Sequence, residues 1–365
     1  MIKLVDLKAQ HLSLSQEIWS AIEKIEETSS FINGEEVGNF ERDFADFCRS
    51  TFAIGVSNGT SALEIALRCA GIGPGHEVIT VANTFFATAE AIYGVGATPI
   101  FVDVDLDSGS ISTSNVEANI SSRTRAIVPV HLFGHLADMP RIREIADSHN
   151  LVVIEDAAQA HGAEADWGGP ASLSKAAAFS FFPGKNLGGW GDAGAVITND
   201  GDFAERIKKF KDHGRVSKYE HDEIGTNARL DTLQAAILRV KLTKLSDWNN
   251  VRQNLALKYI SKLETEGFKI LKPRNGSSWH LFPIRVANRV EVMEQLRNFG
   301  IETGIHYPVP LHKQIAIQRY YRTLRLENTE LLAGQIVSLP LHPYLSENEV
   351  DGVIERFLEV AEAIC

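Results

Sequence analysis

A chain of 365 residues has room for two or three domains, or for one large α/β domain with a smaller appendage. Its 44% hydrophobic and 23% charged content is globular, which excludes disorder and fibrous repeats, and no apolar run approaches the roughly 20 residues that cross a bilayer. With 47 acidic against 36 basic residues the net charge is −11, so the chain has no reason to seek a nucleic-acid backbone.

Met1–Gln10 lacks the apolar core of a signal peptide. Cys48, Cys69 and Cys365 offer neither a disulfide framework nor metal-ligand spacing, which fits a reducing cytoplasm. Phe52–Val56 then reads as a buried strand and Thr60–Cys69 as a helix. Glu77–Val81 and Thr84–Tyr93 repeat the pair. Thr98–Asp103 and Ala126–Val130 are further strands, Met139–His149 a helix, and Leu151–Glu155 the most apolar strand. Strands without polar alternation, separated by helices, predict a mainly parallel sheet covered on both faces. Ala176–Phe181 and Gly194–Thr198 predict a strand pair bracketing Lys185. From Asp231 to about Leu263 apolar residues recur at helical spacing. Beyond it, a short strand (Leu281–Val286) and helices (Val290–Phe299, Glu347–Ile364) suggest a smaller α+β unit. The expected division is a large α/β domain over 1–245, with an N-terminal helix, and a small domain over 246–365.

Ligands of such sheets sit beyond the carboxyl ends of the strands. Ser57-Asn-Gly-Thr-Ser61 joins a strand to a helix, where small residues leave backbone N–H groups free for an anion; an ordinary turn capped by Thr60 or Ser61 is the alternative. It matches neither a Walker loop nor a dinucleotide fingerprint. Asp156 closes a buried strand and needs a cationic or N–H partner, which a pyridinium nitrogen would supply, unless it merely opens the next turn. Lys185 follows three aromatics and Pro183-Gly184 and precedes Gly188, Gly189, Gly191 and Gly194. Those are poor surroundings for a solvated lysine, and partial burial makes an amine a useful nucleophile. A helix start for the phosphate, an Asp for the ring nitrogen and a Lys for the aldehyde are the fixed points needed to hold pyridoxal 5'-phosphate.

At these residues the sequence resembles the DegT-type sugar aminotransferases. The matching segments are Ser57–Ala62, Ile154–Gly162, Phe179–Gly194, Gly225–Asp231 and Ile305–His312, in the family's order along nearly the whole chain. The resemblance implies the aspartate aminotransferase fold: a mostly parallel seven-stranded sheet between helices, with a smaller C-terminal α+β domain. It implies that Gly59, Thr60, Ser61 and Ser180 bind the cofactor phosphate and that Phe85 stacks on its ring, although Phe85 reads equally well as a core residue of its helix. Asp156 would meet the ring nitrogen, Gln159 the ring-hydroxyl side, and Asn227 the phosphate in a neighbouring subunit of a homodimer with shared active sites. Tyr219, in a polar loop with His213 and Arg215, would cover substrate, or is simply solvated. His306, Tyr307 and His312, set by Pro308 and Pro310, would form a rigid substrate-binding set.

Two departures from the family stand out: Ser174-Lys175 where relatives carry Gly-Asp, and Trp190 where many carry a smaller residue. His131 and His135 are four apart beside Asp138, but Gly134 between them argues against one helical face, and no metal is expected. The resemblance therefore implies transfer of an amino group from L-glutamate to a nucleotide-linked keto-sugar, closest to enzymes acting at C3 of a dTDP-3-keto-6-deoxyhexose. A 4-keto-sugar or cyclitol aminotransferase is the alternative. Lys185 argues against the dehydratases of the family, which carry histidine there, and Asp156, Ser180 and Lys185 together argue against a non-catalytic regulator or binding protein on the same scaffold.

Overall fold

The computed structural model describes residues 1–364. Three helices, α1 (Leu7–Ser13), α2 (Ser15–Thr28) and α3 (Glu35–Phe47), precede the first strand, where one was expected. Then follow β1 (Phe52–Val56), α4 (Gly59–Cys69), β2 (Glu77–Val81), α5 (Phe86–Gly94), β3 (Thr98–Val102), α6 (Thr113–Ala118), β4 (Thr124–Val128), α7 (Met139–His149), β5 (Val152–Asp156), β6 (Ala176–Ser180), β7 (Gly194–Thr198) and α8 (Gly201–Phe210). The seven strands form one sheet in the order β1-β7-β6-β5-β4-β2-β3. All run parallel except β7, which is antiparallel to both of its neighbours.

Continuous apolar runs follow from burial on both faces. Successive residues of a strand point to opposite sides, so Val196 packs with α4 and α8 while Ala195 and Ile197 pack with α3 and α9 (Thr232–Leu263). β4 stops at Val128 rather than Val130 because Pro129 has no N–H for the ladder. Its carbonyl still accepts from the Asp156 N–H at 2.9 Å.

Helix α9 runs unbroken through the expected boundary at 245/246. Leu238, Leu242 and Leu245 join the core of the large sheet. Leu255, Ala256, Tyr259 and Leu263 join a second core over a three-stranded antiparallel sheet. That sheet has β8 (Lys269–Ile270) and β10 (Ile336–Leu339) flanking β9 (Phe282–Arg285), with α10 (Arg289–Asn298), α11 (Glu327–Gln335) and α12 (Glu347–Ile364) around it. Ile2 bridges to Ile301, which ties the N-terminus to this smaller unit.

Candidate active site

A cavity of about 740 Å³ opens at the carboxyl ends of β1, β2, β4, β5 and β6 and is lined from the smaller unit by His280, Leu281, His306 and Tyr307. Gly59, Thr60, Ser61, Phe85, Asp156, Gln159, Ser180, Lys185, His306 and Tyr307 all line it. The first eight of these, far apart in the sequence, are brought together because each ends or follows a strand of the same sheet, whereas His306 and Tyr307 come from the smaller unit.

At β1 the chain turns through Ser57-Asn58 into α4. The cap is Asn58, not Thr60 or Ser61: its Oδ1 accepts from the Ser61 N–H at 2.8 Å. Gly59 and Thr60 thus present their backbone N–H groups at a helix N-terminus, where the dipole favours an anion. The crowding is tight. A Cβ on Gly59 would meet Ser180 Cβ at 2.6 Å, and one on Gly194 would meet the Asn58 carbonyl at 2.5 Å, so glycine at both positions lets β6 and β7 approach this turn.

Asp156 ends β5 and is buried. Thr88 donates to its Oδ2 at 2.7 Å and the Ala158 N–H to its Oδ1 at 3.2 Å. Burial raises its pKa against the lowering effect of these two donors and of Lys185. Phe85 is no core residue: α5 begins one position after it, and its ring is 58% exposed, tilted 5.8 Å from that of Tyr307. Gln159 Oε1 accepts from the Phe133 N–H at 2.7 Å, and its Nε2 donates to the Tyr307 hydroxyl at 3.3 Å.

Lys185 is the only lysine or arginine on the cavity wall among the described residues, and no hydrogen-bond partner is found for its amine. Burial lowers its pKa to about 8, although Asp156 pulls the other way. At pH 8 about half of it is free amine, on the order of a hundredfold more than a lysine of ordinary pKa. Pulse labelling of the cofactor-free chain with an acylating reagent should therefore modify Lys185 first, at a rate that rises through pH 8 and then levels. Labelling no faster than at surface lysines would refute the lowered pKa. Lys241, also lowered to about 8, is shielded on α9, where it donates to Gly188 O and Gln10 Oε1.

Three expected residues lie outside the cavity. Tyr219 is 81% exposed in the loop after α8, and Asn227 is exposed beside its bridge to Asp212. His312 corrects the expected rigid set: the 3₁₀ turn Leu311–Lys313 buries its ring away from His306 and Tyr307, with Nε2 against Glu330 Oε1 at 3.0 Å. Trp190 does not line the cavity either, but packs edge-on against His11 and Trp19 of the N-terminal helices. Ser174 and Lys175 bond Glu155 and Asp200 near the other end of the sheet. His131 Nδ1 accepts from the Ala137 N–H, which leaves Nε2–H to donate to Glu155 at 2.6 Å, whereas His135 engages Ser277 and the Leu271 carbonyl. No group of three or more His, Cys, Asp or Glu suited to a metal exists among the described residues, nor any helix long and apolar enough to cross a membrane. Sequence reasoning missed Thr88, which acts through a tertiary contact to Asp156.

Residues 13–358 match the DegT/DnrJ/EryC1/StrS aminotransferase family. The dTDP-3-amino-3,4,6-trideoxy-alpha-D-glucose transaminase of Streptomyces venezuelae is 42% identical over 367 residues, 100% of this chain and 97% of its own. The dTDP-3-amino-3,6-dideoxy-alpha-D-galactopyranose transaminase of Aneurinibacillus thermoaerophilus is 42% identical over 97% of this chain and 98% of its own. A crystal structure of S. venezuelae DesV in complex with a ketimine intermediate superposes with a TM-score of 0.95 at 42% identity, covering 100% of this chain and 99% of that one. Agreement over this much of the chain leaves one conclusion: the protein belongs to the DegT/DnrJ/EryC1/StrS aminotransferase family, and is a pyridoxal-phosphate-dependent sugar aminotransferase.

Proposed function

We propose that the chain aminates C3 of a dTDP-linked 3-keto-6-deoxyhexose with L-glutamate as donor, giving a dTDP-3-amino-3,6-dideoxyhexose for a surface polysaccharide or glycoside. The observation that carries this reading is identity of 42% over essentially full length to two relatives whose names both specify a dTDP-3-amino sugar.

The cavity suits the cofactor by its donor set. Unpaired backbone N–H groups at Gly59 and Thr60, with the hydroxyls of Thr60, Ser61 and Ser180, would hold the phosphate. Asp156 would face the ring nitrogen, Phe85 the ring, Gln159 the ring-hydroxyl side, and Lys185 the aldehyde. Bound there, pyridoxal phosphate supplies an electron sink for the amino-acid α-carbon. Lys185 Nζ takes the α-proton of glutamate and delivers it to the cofactor side, then performs the reverse transfer for the sugar. His306 and Tyr307, which line the same cavity, bind sugar hydroxyls.

Among the described residues, Lys185 is the single lysine or arginine lining a cavity whose ligands carry phosphate, diphosphate and carboxylates. Asn227 and Tyr219 are exposed and lie outside the cavity of their own chain, which favours a homodimer in which Asn227 of one subunit reaches the cofactor phosphate of the other, with Tyr219 in the loop that covers substrate. Sedimentation should find a dimer, and an active monomer would rule the shared site out. Unpaired Cys48 and Cys69 fit work in the cytoplasm.

A panel of dTDP- and UDP-linked 3-keto- and 4-keto-sugars offered with glutamate, with products located by NMR, tests the reading. The expected product is the 3-amino sugar on dTDP. Amination only at C4 would overturn the position, and no amination of any keto-sugar would overturn the substrate class.

A further inference from the structure

His280 lines the cavity, yet nothing described so far uses it. Its ring is held by a chain of amides whose orientation is fixed at both ends by backbone carbonyls. Asn249 Nδ2 donates to the His161 carbonyl at 2.8 Å, which leaves Asn249 Oδ1 to accept from Asn186 Nδ2 at 3.0 Å. Asn186 Nδ2 also donates to the Ser278 carbonyl at 2.9 Å. A nitrogen committed to two acceptors places Asn186 Oδ1 toward His280 Nδ1, 3.0 Å away. His280 must therefore carry its proton on Nδ1, and the Nε2 lone pair is its only remaining polar function.

That lone pair has no partner in the chain, and it is not among the buried orphaned atoms, so it reaches the accessible space of the cavity. The ring stays neutral: burial, with the charges of Lys185 and Arg252, holds its pKa well below the usual value. His306 stands in the same cavity with Nδ1 held by Ser338 Oγ at 2.9 Å and Nε2 likewise unpaired. Buried Asn186, the link between α9 and His280, directly follows Lys185, so the acceptor is fixed relative to the reactive amine.

An acceptor-only, immobile, uncharged group suits a ligand that brings hydroxyl donors and no cation. We infer that His280 Nε2 accepts a hydrogen bond from a sugar hydroxyl of the keto-sugar, making His280 a specificity-determining residue for the second half-reaction. This rests on the sugar aminotransferase reading above. Glutamate brings no hydroxyl, so its half-reaction does not need the contact.

The test follows the two half-reactions of the holoenzyme separately. His280→Phe should keep the rate of 2-oxoglutarate release within about threefold of the parent. It should lose about tenfold or more in kcat/KM for the keto-sugar and a similar factor in calorimetric affinity for the aminated product. His280→Gln, which can place its amide N–H toward Asn186 and its oxygen toward the cavity, should recover most of both. Equal losses in both half-reactions would place His280 on Lys185 or the cofactor and overturn the inference; no loss in either would reduce it to a wall residue and overturn it too. Should the Phe variant fail to load cofactor, His280→Ala, which cannot clash, gives the same comparison. A parent enzyme that consumes glutamate but aminates no keto-sugar overturns the function proposed above instead.

Discussion

Lys185→Ala should lower transamination by about 10⁴-fold, some 5 kcal/mol of barrier, and leave the melting temperature close to that of the parent protein. The fold does not depend on this side chain, because its amine makes no hydrogen bond and no ion pair. The loop around it is held by other groups. The Lys185 N–H donates to the Phe182 carbonyl at 2.9 Å, the Gly189 N–H to Phe181 O, and the Trp190 N–H to Gln234 Oε1, while Lys241 holds the Gly188 carbonyl. What is lost is chemical: a half-buried amine, lowered to about 8, that can both take and return a proton. Lys185→Arg should be as inactive as the alanine variant, since a guanidinium is charged at every working pH. The Ala variant alone should respond to an added small primary amine that enters the space left by the side chain. Ala activity within tenfold of the parent would assign proton transfer to another group.

The large sheet was legible because burial on both faces writes each strand as an uninterrupted apolar run, and β1, β2 and β7 fall on the residues such runs indicate. Of the small sheet only the central strand β9 (Phe282–Arg285) was legible, within the expected Leu281–Val286. β8 has two residues, and β10 is only Ile336–Leu339, wedged between α11 and Pro340, too short for a period to show. At the site, glycines and strand ends carried the signal, so the turn at Gly59, Asp156 and Lys185 stood out in the local sequence, Ser180 came only with the family resemblance, and all four line one cavity. His312 was misplaced because its five-residue spacing from Tyr307 says nothing of the 3₁₀ turn that swings its ring toward Glu330. His280 was invisible for the opposite reason. Its orientation depends on Asn186 and Asn249, 94 and 31 positions away in the chain, and no local pattern encodes a relay of that span.

Asp156→Asn should keep the fold and cost about a thousandfold in turnover, roughly 4 kcal/mol, with both half-reactions falling together. Asparagine is nearly the same shape, and its partners can adapt. The amide oxygen still accepts from the Ala158 N–H, and Thr88, which now donates to Oδ2, can accept from the amide nitrogen and turn its own proton to Thr84 Oγ1, 3.0 Å away. No buried group is stranded, so the cost of a broken buried pair is avoided. The charge, however, is gone. Asp156 sits at the end of β5 in a buried setting where one carboxylate acts strongly on a cation facing it, and a neutral amide cannot hold a ring nitrogen in its protonated form. Both half-reactions draw on that proton, so loss in both separates this role from that of His280, which bears on the sugar step alone. Thr88→Val provides the graded comparison: it removes one donor but keeps the carboxylate, and should cost no more than about tenfold. Parallel measurement of glutamate consumption, sugar amination and melting temperature decides the matter. An Asn variant within a few-fold of the parent would mean that the strand-end carboxylate serves the turn after β5 and not the cofactor.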